Sequence, residues 1–170
     1  MALVNIDHPT VIQDQRLLEL FQFWHGKLNG RRIPADGDFD RAALARWSDN
    51  LMLIDVPGDI ADFRIRWLGA NVAAMFATPR AGTGIEAMTS TGERSSVLPQ
   101  YRVVIDTGLP AYYATEVELS KRGVVAQQKL LLPLSGNGER VDAVLAGIYP
   151  ELPRKPRKPQ RRAGGAGSLG

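Results

Sequence analysis

Apolar and polar residues alternate along two stretches of this chain. In Val124–Gly138 (VVAQQKLLLPLSGNG), Val124, Ala126, Leu130, Leu132 and Leu134 fall on one parity, with Gln127 and Lys129 on the other. In Phe63–Gly69 (FRIRWLG), Phe63, Ile65 and Trp67 alternate with Arg64 and Arg66. Alternation of this kind predicts half-buried strands with one apolar and one wet face, the habit of antiparallel sheets. Leu51–Val56, broken by Pro57 and Gly58, is a further strand that forms an economical hairpin with Phe63–Leu68. Pro110–Leu119 and Arg140–Tyr149 complete a set of five. Ser-Lys-Arg-Gly and Ser-Gly-Asn-Gly stand at the turns, both able to supply positive φ.

Elsewhere the period is helical. Leu17, Leu20, Phe21, Trp24 and Leu28 form one stripe, preceded by Thr10 and Gln13 at capping-box spacing and followed by Gly30, so a helix is expected over 11–28. Phe23 falls off the stripe and points to a second apolar contact. The stripe has two readings: packing on the chain's own sheet, or a dimer interface made by Leu17, Leu20, Phe21, Phe23 and Trp24. A polar loop, Gly30–Asp40, leads to a short helix around Arg41–Trp47. Val72, Met75 and Phe76 suit another short helix, after which Pro79, Gly82 and Gly84 impose turns. Ser90 and Glu93 repeat the capping-box spacing, and Val97, Leu98, Tyr101, Val104 and Ile105 recur at helical intervals up to Gly108. Pro99 belongs near the start of a helix, where backbone N–H groups lack partners anyway, so the regular helix is expected from Ser96.

The order of elements gives an α+β domain: a five-stranded antiparallel sheet with short helices on one face, an N-terminal flanking helix and a disordered C-terminal tail. The middle helices are expected to cover the sheet's apolar face, leaving a pocket between them. Its candidate lining is Phe63, Trp67, Val72, Met75, Phe76, Tyr101, Val104, Tyr113, Leu130 and Leu132, residues that would serve equally as ordinary core.

Composition changes this picture in three places. At 170 residues the chain fits one domain, divided as 1–28 for the N-terminal region and flanking helix, 29–150 for the sheet domain and 151–170 for the tail. The net charge of +3 belongs to the tail, which carries Arg154, Lys155, Arg157, Lys158, Arg161 and Arg162 against Glu151. Residues 1–150 hold 15 basic and 17 acidic residues, so no basic face for specific nucleic-acid binding follows. The tail has no apolar period and cannot offset its ordering entropy; its charge supports only weak, salt-sensitive attraction to acidic surfaces. Cysteine is absent, which removes disulfides and thiolate chemistry. With no run near the roughly 20 apolar residues of a membrane span and no signal-peptide pattern, a cytoplasmic location is expected.

Several separated pieces, FWHGKLNGRRIPADGDFD (23–40), LMLIDV (51–56), FRIRWLGANVAAMF (63–76), GLP (108–110) and KLLLPLSGNGERVDAVLAGI (129–148), give the chain a further likeness. It resembles the single-PAS-domain proteins common in alphaproteobacteria over roughly 17–149. Members often carry a Gly-Arg-Arg-x-Pro step, matched by Gly30–Pro34, and a Leu-Leu-Leu-Pro-Leu-Ser strand end, matched by Leu130–Ser135. The stretch before Thr83 departs from the family, with Ala77–Gly82 where relatives tend to have a glycine and an acidic residue. The resemblance implies a sensing or interaction module in bacterial signalling, not an enzyme.

Chemistry that such folds host was tested against the residues. A cysteinyl flavin photoreceptor and a thioester-linked chromophore both need the missing cysteine. His8 and His25 lie outside the pocket helices, and Tyr101 as an iron ligand is less economical than Tyr101 as core. Asp36, Asp38 and Asp40 fail the calcium-loop pattern, which would place Arg41 at the sharp turn and Trp47 at the bidentate acid, and read instead as an acidic turn capping a helix. Gly82–Ala87 matches a dinucleotide fingerprint only as a string, without the βαβ unit it needs. No acid or serine stands near either histidine at a diagnostic spacing, and Glu116 and Glu118 share a solvated strand face. The expectation is a non-enzymatic, cofactor-free regulatory protein that acts through a protein partner, as a homodimer and without its own effector domain. The alternative is a small-molecule sensor using the apolar pocket.

Overall fold

A computed structural model of the chain describes residues 4–5, 9–58, 63–75, 81–84, 91–119 and 123–150. Phe76, Ser90, the Ser120–Arg122 turn and the tail lie outside these residues. The five expected strands are β2 (Leu51–Asp55), β3 (Arg64–Leu68), β4 (Ala111–Leu119), β5 (Gly123–Leu134) and β6 (Ala143–Pro150). A two-residue strand that the sequence pattern misses, β1 (Val4–Asn5), adds to the edge. All pairings are antiparallel in the order β1-β4-β5-β6-β2-β3. The helices are α1 (Gln15–Gly26), α2 (Ala70–Met75) and α3 (Thr91–Thr107).

The expectation of a wet sheet face is overturned in the centre of the sheet. β2 is buried over Leu51–Ile54 and β6 over Ala143–Tyr149, on both parities. One face holds Leu51, Leu53, Leu130, Leu132, Leu134, Ala143 and Leu145 under α1. The other holds Met52, Ile54, Leu131, Val144, Ala146 and Ile148 under α2 and α3. The uninterrupted apolar run of β5, Leu130–Leu134, is the sequence signature of this arrangement, since a strand covered on both sides needs no polar parity. The leucines at 130, 132 and 134 therefore face α1 and not the middle helices.

α1 is the first of these covers. Leu17 and Leu20 have no exposure, and Phe21 and Trp24 keep only 7% and 3%. Trp24 Nε1 donates to the Pro133 carbonyl at 2.9 Å, satisfying a buried indole on the strand beneath it. Gly147 on β6 lets the helix come close: a Cβ there would lie 2.9 Å from both Leu17 Cδ2 and Leu20 Cδ2. Phe23 meets its second surface in the 39–47 segment, edge-on to Phe39 at 5.7 Å and tilted on Trp47 at 5.5 Å. Of the five candidate dimer residues, Leu17, Leu20, Phe21 and Trp24 are thus buried within the chain on its own sheet and Phe23 is partly covered.

Local signals moved by a few residues. Asp14, not Thr10, caps α1, its carboxylate accepting from the Arg16 backbone N–H at 2.9 Å. The helix ends at Gly26, short of Gly30, whose φ of 79° serves the following turn. Residues 41–47 form successive turns rather than an α-helix, with the Asp40 carboxylate accepting from Ala43 N at 2.7 Å. α3 starts at Thr91 and carries Pro99 within it, where a Ser96 start was expected. Among the described residues no helix is long and apolar enough to cross a membrane.

A bulge decides which face β3 serves. Leu53 opposes Trp67 and Ile54 opposes Ile65, which leaves Arg66 unpaired. The extra residue reverses the parity between Ile65 and Trp67. Ile65 and Phe63 join the α3 face, and Trp67 packs against the α1 face. Arg66 stands at the bulge and reaches Asp36 at 2.8 Å and Asp55, tying the 36–38 turn to the sheet. The same loop is stitched to the end of β5 by Ser135 N to Pro34 O at 3.0 Å and Asp36 N to Ser135 O at 3.1 Å.

Burial of a large apolar side chain is worth roughly 1.5–3 kcal/mol, so four on α1 together rival the about 5–15 kcal/mol net stability of a typical domain. Removing residues 1–28 is expected to give an aggregating or unfolded product, read by light scattering and circular dichroism; a folded monomer would contradict this packing. Gly147→Val should destabilise by about 1–3 kcal/mol through overpacking against Leu17 and Leu20, seen as a lower urea midpoint at unchanged slope.

Candidate functional site

The pocket candidates divide between the two faces. Phe63, Val72, Tyr101, Val104 and Tyr113 are brought together on the α2–α3 face, and Met75 packs at its margin. Trp67, Leu130 and Leu132 lie on the opposite face with α1, Trp67 because of the bulge and the leucines because of their parity on β5. Phe76 is outside the described residues.

Three polar residues missing from the sequence-derived pocket occupy this face or the helix above it. Lys129 on β5 lies opposite Tyr113 of β4 and Ile148 of β6 and is only 3% exposed. Its ammonium sits over two aromatic rings, 5.7 Å from the Tyr101 centroid and 5.8 Å from that of Tyr113. Cation–π attraction at such distances contributes about 0.5–2 kcal/mol, well short of what removing a charge from water costs. Among the described residues no carboxylate forms a salt bridge with it. Burial therefore lowers its pKa to about 8. Two residues back on the strand, Gln127 is buried as well.

Gln100 is the third. It is 2% exposed, and its side-chain oxygen has no hydrogen-bond partner. Its backbone carbonyl accepts from the Tyr113 hydroxyl at 3.4 Å. Tyr113 is thus shared: Lys129 lies over its ring while its hydroxyl touches Gln100. Desolvation raises the pKa of both Tyr101 and Tyr113, keeping them neutral hydroxyls. The assembly is a mostly apolar face carrying a lysine held over two neutral phenols and, among the described residues, without a salt bridge, with one unsatisfied acceptor on the helix above it.

Alternation misread Lys129 as solvent-facing. The signal that could have placed it is Leu131, which shares its parity and lies in the run Leu130–Leu134; a strand apolar at consecutive positions has no wet side for its neighbour. For Gln100 there is no comparable signal, since its burial depends on how α3 lies on the sheet.

A second concavity, about 340 Å³, opens beside β3 and is lined by Asp36, Phe39, Asp40, Arg41, Arg66 and Trp67 among others. Its charges are already engaged. Arg66 bonds Asp36 and Asp55, the Asp40 carboxylate caps Ala43 N, and the Arg41 guanidinium lies 5.5 Å from the Trp67 ring centroid. The α3 face, with a buried lysine that has no salt bridge among the described residues and a glutamine oxygen without a hydrogen-bond partner, is the stronger candidate.

The buried lysine makes stability depend on pH. With its folded pKa depressed, the unfolded chain binds more protons between about pH 8 and its ordinary value, so stability rises with pH across that window. The gain from about pH 7 to about pH 9.5 should be on the order of 2 kcal/mol, below the range where the tyrosines titrate. Lys129→Met should be more stable than the parent at about pH 7 by about 1–3 kcal/mol. Urea titrations at both pH values check this, and a difference between the two proteins that does not shrink as pH rises would refute the burial argument.

Comparisons with known proteins agree with this architecture. A single-residue variant of RsLOV superposes with a TM-score of 0.51 at 14% identity, covering 74% of this chain and 68% of that one. The Rhodobacter sphaeroides LOV protein gives 0.49 at 13% identity, covering 64% and 62%. At 14% identity the first of these likenesses concerns the fold alone. No curated protein is significantly similar in sequence. The sequence model of the PAS domain matches residues 12–149, from the segment leading into α1 to the end of β6, and the chain belongs to the PAS domain family.

Proposed function

We propose that this chain is a non-enzymatic regulatory module of signalling whose input is the buried polar site beneath α3 and whose output is contact with a protein partner. The observation that carries the reading is Lys129, buried without a salt bridge among the described residues on a face that is mostly apolar. A lysine in that place works against folding, and a hydrophobic residue would serve the core better. Residues that break a folding rule without local compensation are where function is expected. Family membership and a fold of the PAS type support a sensory role, and among the described residues Leu109 is the only exposed large hydrophobic side chain, which favours a transient partner over an obligate one.

The small-molecule reading of the pocket and the partner reading are two ends of one device. A ligand bound at the buried site shifts a conformational population only by its differential affinity for two states, and α3, which contributes Gln100 and Tyr101, is the element that can transmit the shift. Cross-linking of the tagged full chain in its native cells, followed by mass spectrometry, tests the coupling. The proposal expects a partner whose recovery changes at least about threefold when Lys129→Met replaces the parent, a shift of about 0.7 kcal/mol. Equal recovery with both proteins would separate the buried site from the output.

A further inference from the structure

The Gly30–Pro34 step meets the C-terminal ends of two helices that lie on opposite faces of the sheet. Arg31 serves α1. Its Nη2 donates to the Lys27 carbonyl at 3.2 Å and its Nε to the Leu28 carbonyl at 3.4 Å, in the turn that closes the helix. Arg32 serves α3, its Nη2 donating at 2.7 Å to the carbonyl of Thr107, the last residue of that helix. The final carbonyls of a helix have no intrahelical donors and carry its negative end, so a guanidinium suits both places. Arg31 also pairs with Asp38 at 2.9 Å, whereas Arg32 has no salt bridge among the described residues. Two adjacent residues thus hold the ends of two helices that the sheet keeps apart.

The segment that follows has little slack. Ile33 is buried in the α3-face cluster. A Cβ on Gly108, the residue just past α3, would lie 3.3 Å from Ile33 Cδ1 and 3.7 Å from Arg32 Nε. The Pro34 carbonyl and the Asp36 N–H are bonded to Ser135, and the Asp36 carboxylate to Arg66. Phe39 already belongs to the α1-face cluster, so the chain passes from one face to the other beside the end of β5. From these contacts we infer that Arg32 is a latch that carries a displacement of α3 to the end of α1 along residues 31–34, around the sheet rather than through it. The inference rests on the reading above that α3 moves with the state of the buried site, and adds the route by which that movement reaches the opposite face. The 2.7 Å bond leaves good hydrogen-bond range beyond roughly 3.2 Å. A shifting α3 therefore either takes Arg32 with it or leaves a helix-end carbonyl unpaired. Coupling of this kind is reciprocal, so loosening the end of α1 also loosens α3 while the latch is closed.

Amide hydrogen exchange in the full chain, followed by NMR at about pH 7, tests the latch. The reporters are the backbone N–H groups of Lys27, Leu28 and Arg31, which donate to the carbonyls of Trp24, His25 and Leu28 at the end of α1. Two substitutions perturb the α3 face: Val104→Ala removes buried contacts of the helix, and Lys129→Met removes the charge beneath it. In the parent, Val104→Ala should speed exchange of the three reporters at least about threefold and Lys129→Met should slow it at least about threefold. In Arg32→Gln both responses should shrink to within about 1.5-fold of no change, while amides of α3 itself still respond. Arg32→Lys, whose ammonium can donate to the same carbonyl, should keep most of the response. A residue that merely props the helix ends would shift the starting rates in Arg32→Gln and leave both responses intact, which overturns the latch. Reporters that ignore both substitutions in the parent overturn it as well. Lys129→Met is expected to fold at least as well as the parent, so its comparison decides alone if Val104→Ala does not fold. If the latch fails while Lys129→Met still alters partner recovery, the sensory reading stands and the latch alone is wrong. If the reporters respond through Arg32 while partner recovery is unchanged, the latch stands and the output reading falls.

Discussion

A sheet that is apolar on both faces needs two covers, and the rest of this protein is arranged to supply them. β2, β5 and β6 form its centre, and neither of their sides can be left to water. α1 and the 39–47 segment close one face, while α2 and α3 close the other. Each cover is held by a specific device as well as by area. Gly147 lets α1 descend onto β6, the Trp24 indole bonds the β5 backbone, and the Pro34–Ser135 stitching fixes the loop that follows α1. Because both covers are integral, the N-terminal helix belongs to the core in this chain, with Leu17, Leu20, Phe21 and Trp24 buried against the sheet.

The two faces differ in character. The α1 face is filled by leucines and aromatics, and its polar tips find partners: Trp24 on the Pro133 carbonyl, Trp47 on the Arg16 carbonyl. The α3 face contains a lysine that, among the described residues, has no carboxylate in salt-bridge contact, and on the helix above it a glutamine oxygen lacks a donor. The same low dielectric that makes satisfied polar groups strong makes these two costly. The asymmetry separates a face whose polar groups are satisfied from one that carries polar groups at a cost in stability. The bulge at Arg66 belongs to the same division, since it sends Ile65 to one face and Trp67 to the other while placing the guanidinium where it ties the 36–38 turn down.

Much of this was legible in the residues. Alternation, turn chemistry and helical spacing located all five major strands and the three helices, because those patterns act within a few residues of one another. The separated pieces from Phe23 to Ile148 carried the family resemblance. The sequence also held the stripe on α1, the Ser-Gly-Asn-Gly turn with Gly138 at φ 81°, and the acidic turn at 36–40 whose Asp40 caps the next segment. These are local matters of backbone conformation and periodicity.

What only the tertiary structure decided was which side of the sheet each residue meets. Parity along β5 separates Leu130 from Lys129 but cannot say that both sides are dry, because burial depends on helices distant in sequence. One unpaired residue in β3 reverses parity, and nothing in FRIRWLG marks Arg66 as that residue until Leu53 and Ile54 are laid beside it. Gln100 is one of several polar positions on α3 until the helix is seated. The sequence by itself determined the elements and the fold they form. The folded chain decided that a lysine, a glutamine and two tyrosines share one dry interior, because only long-range packing can remove water from groups that would otherwise keep it.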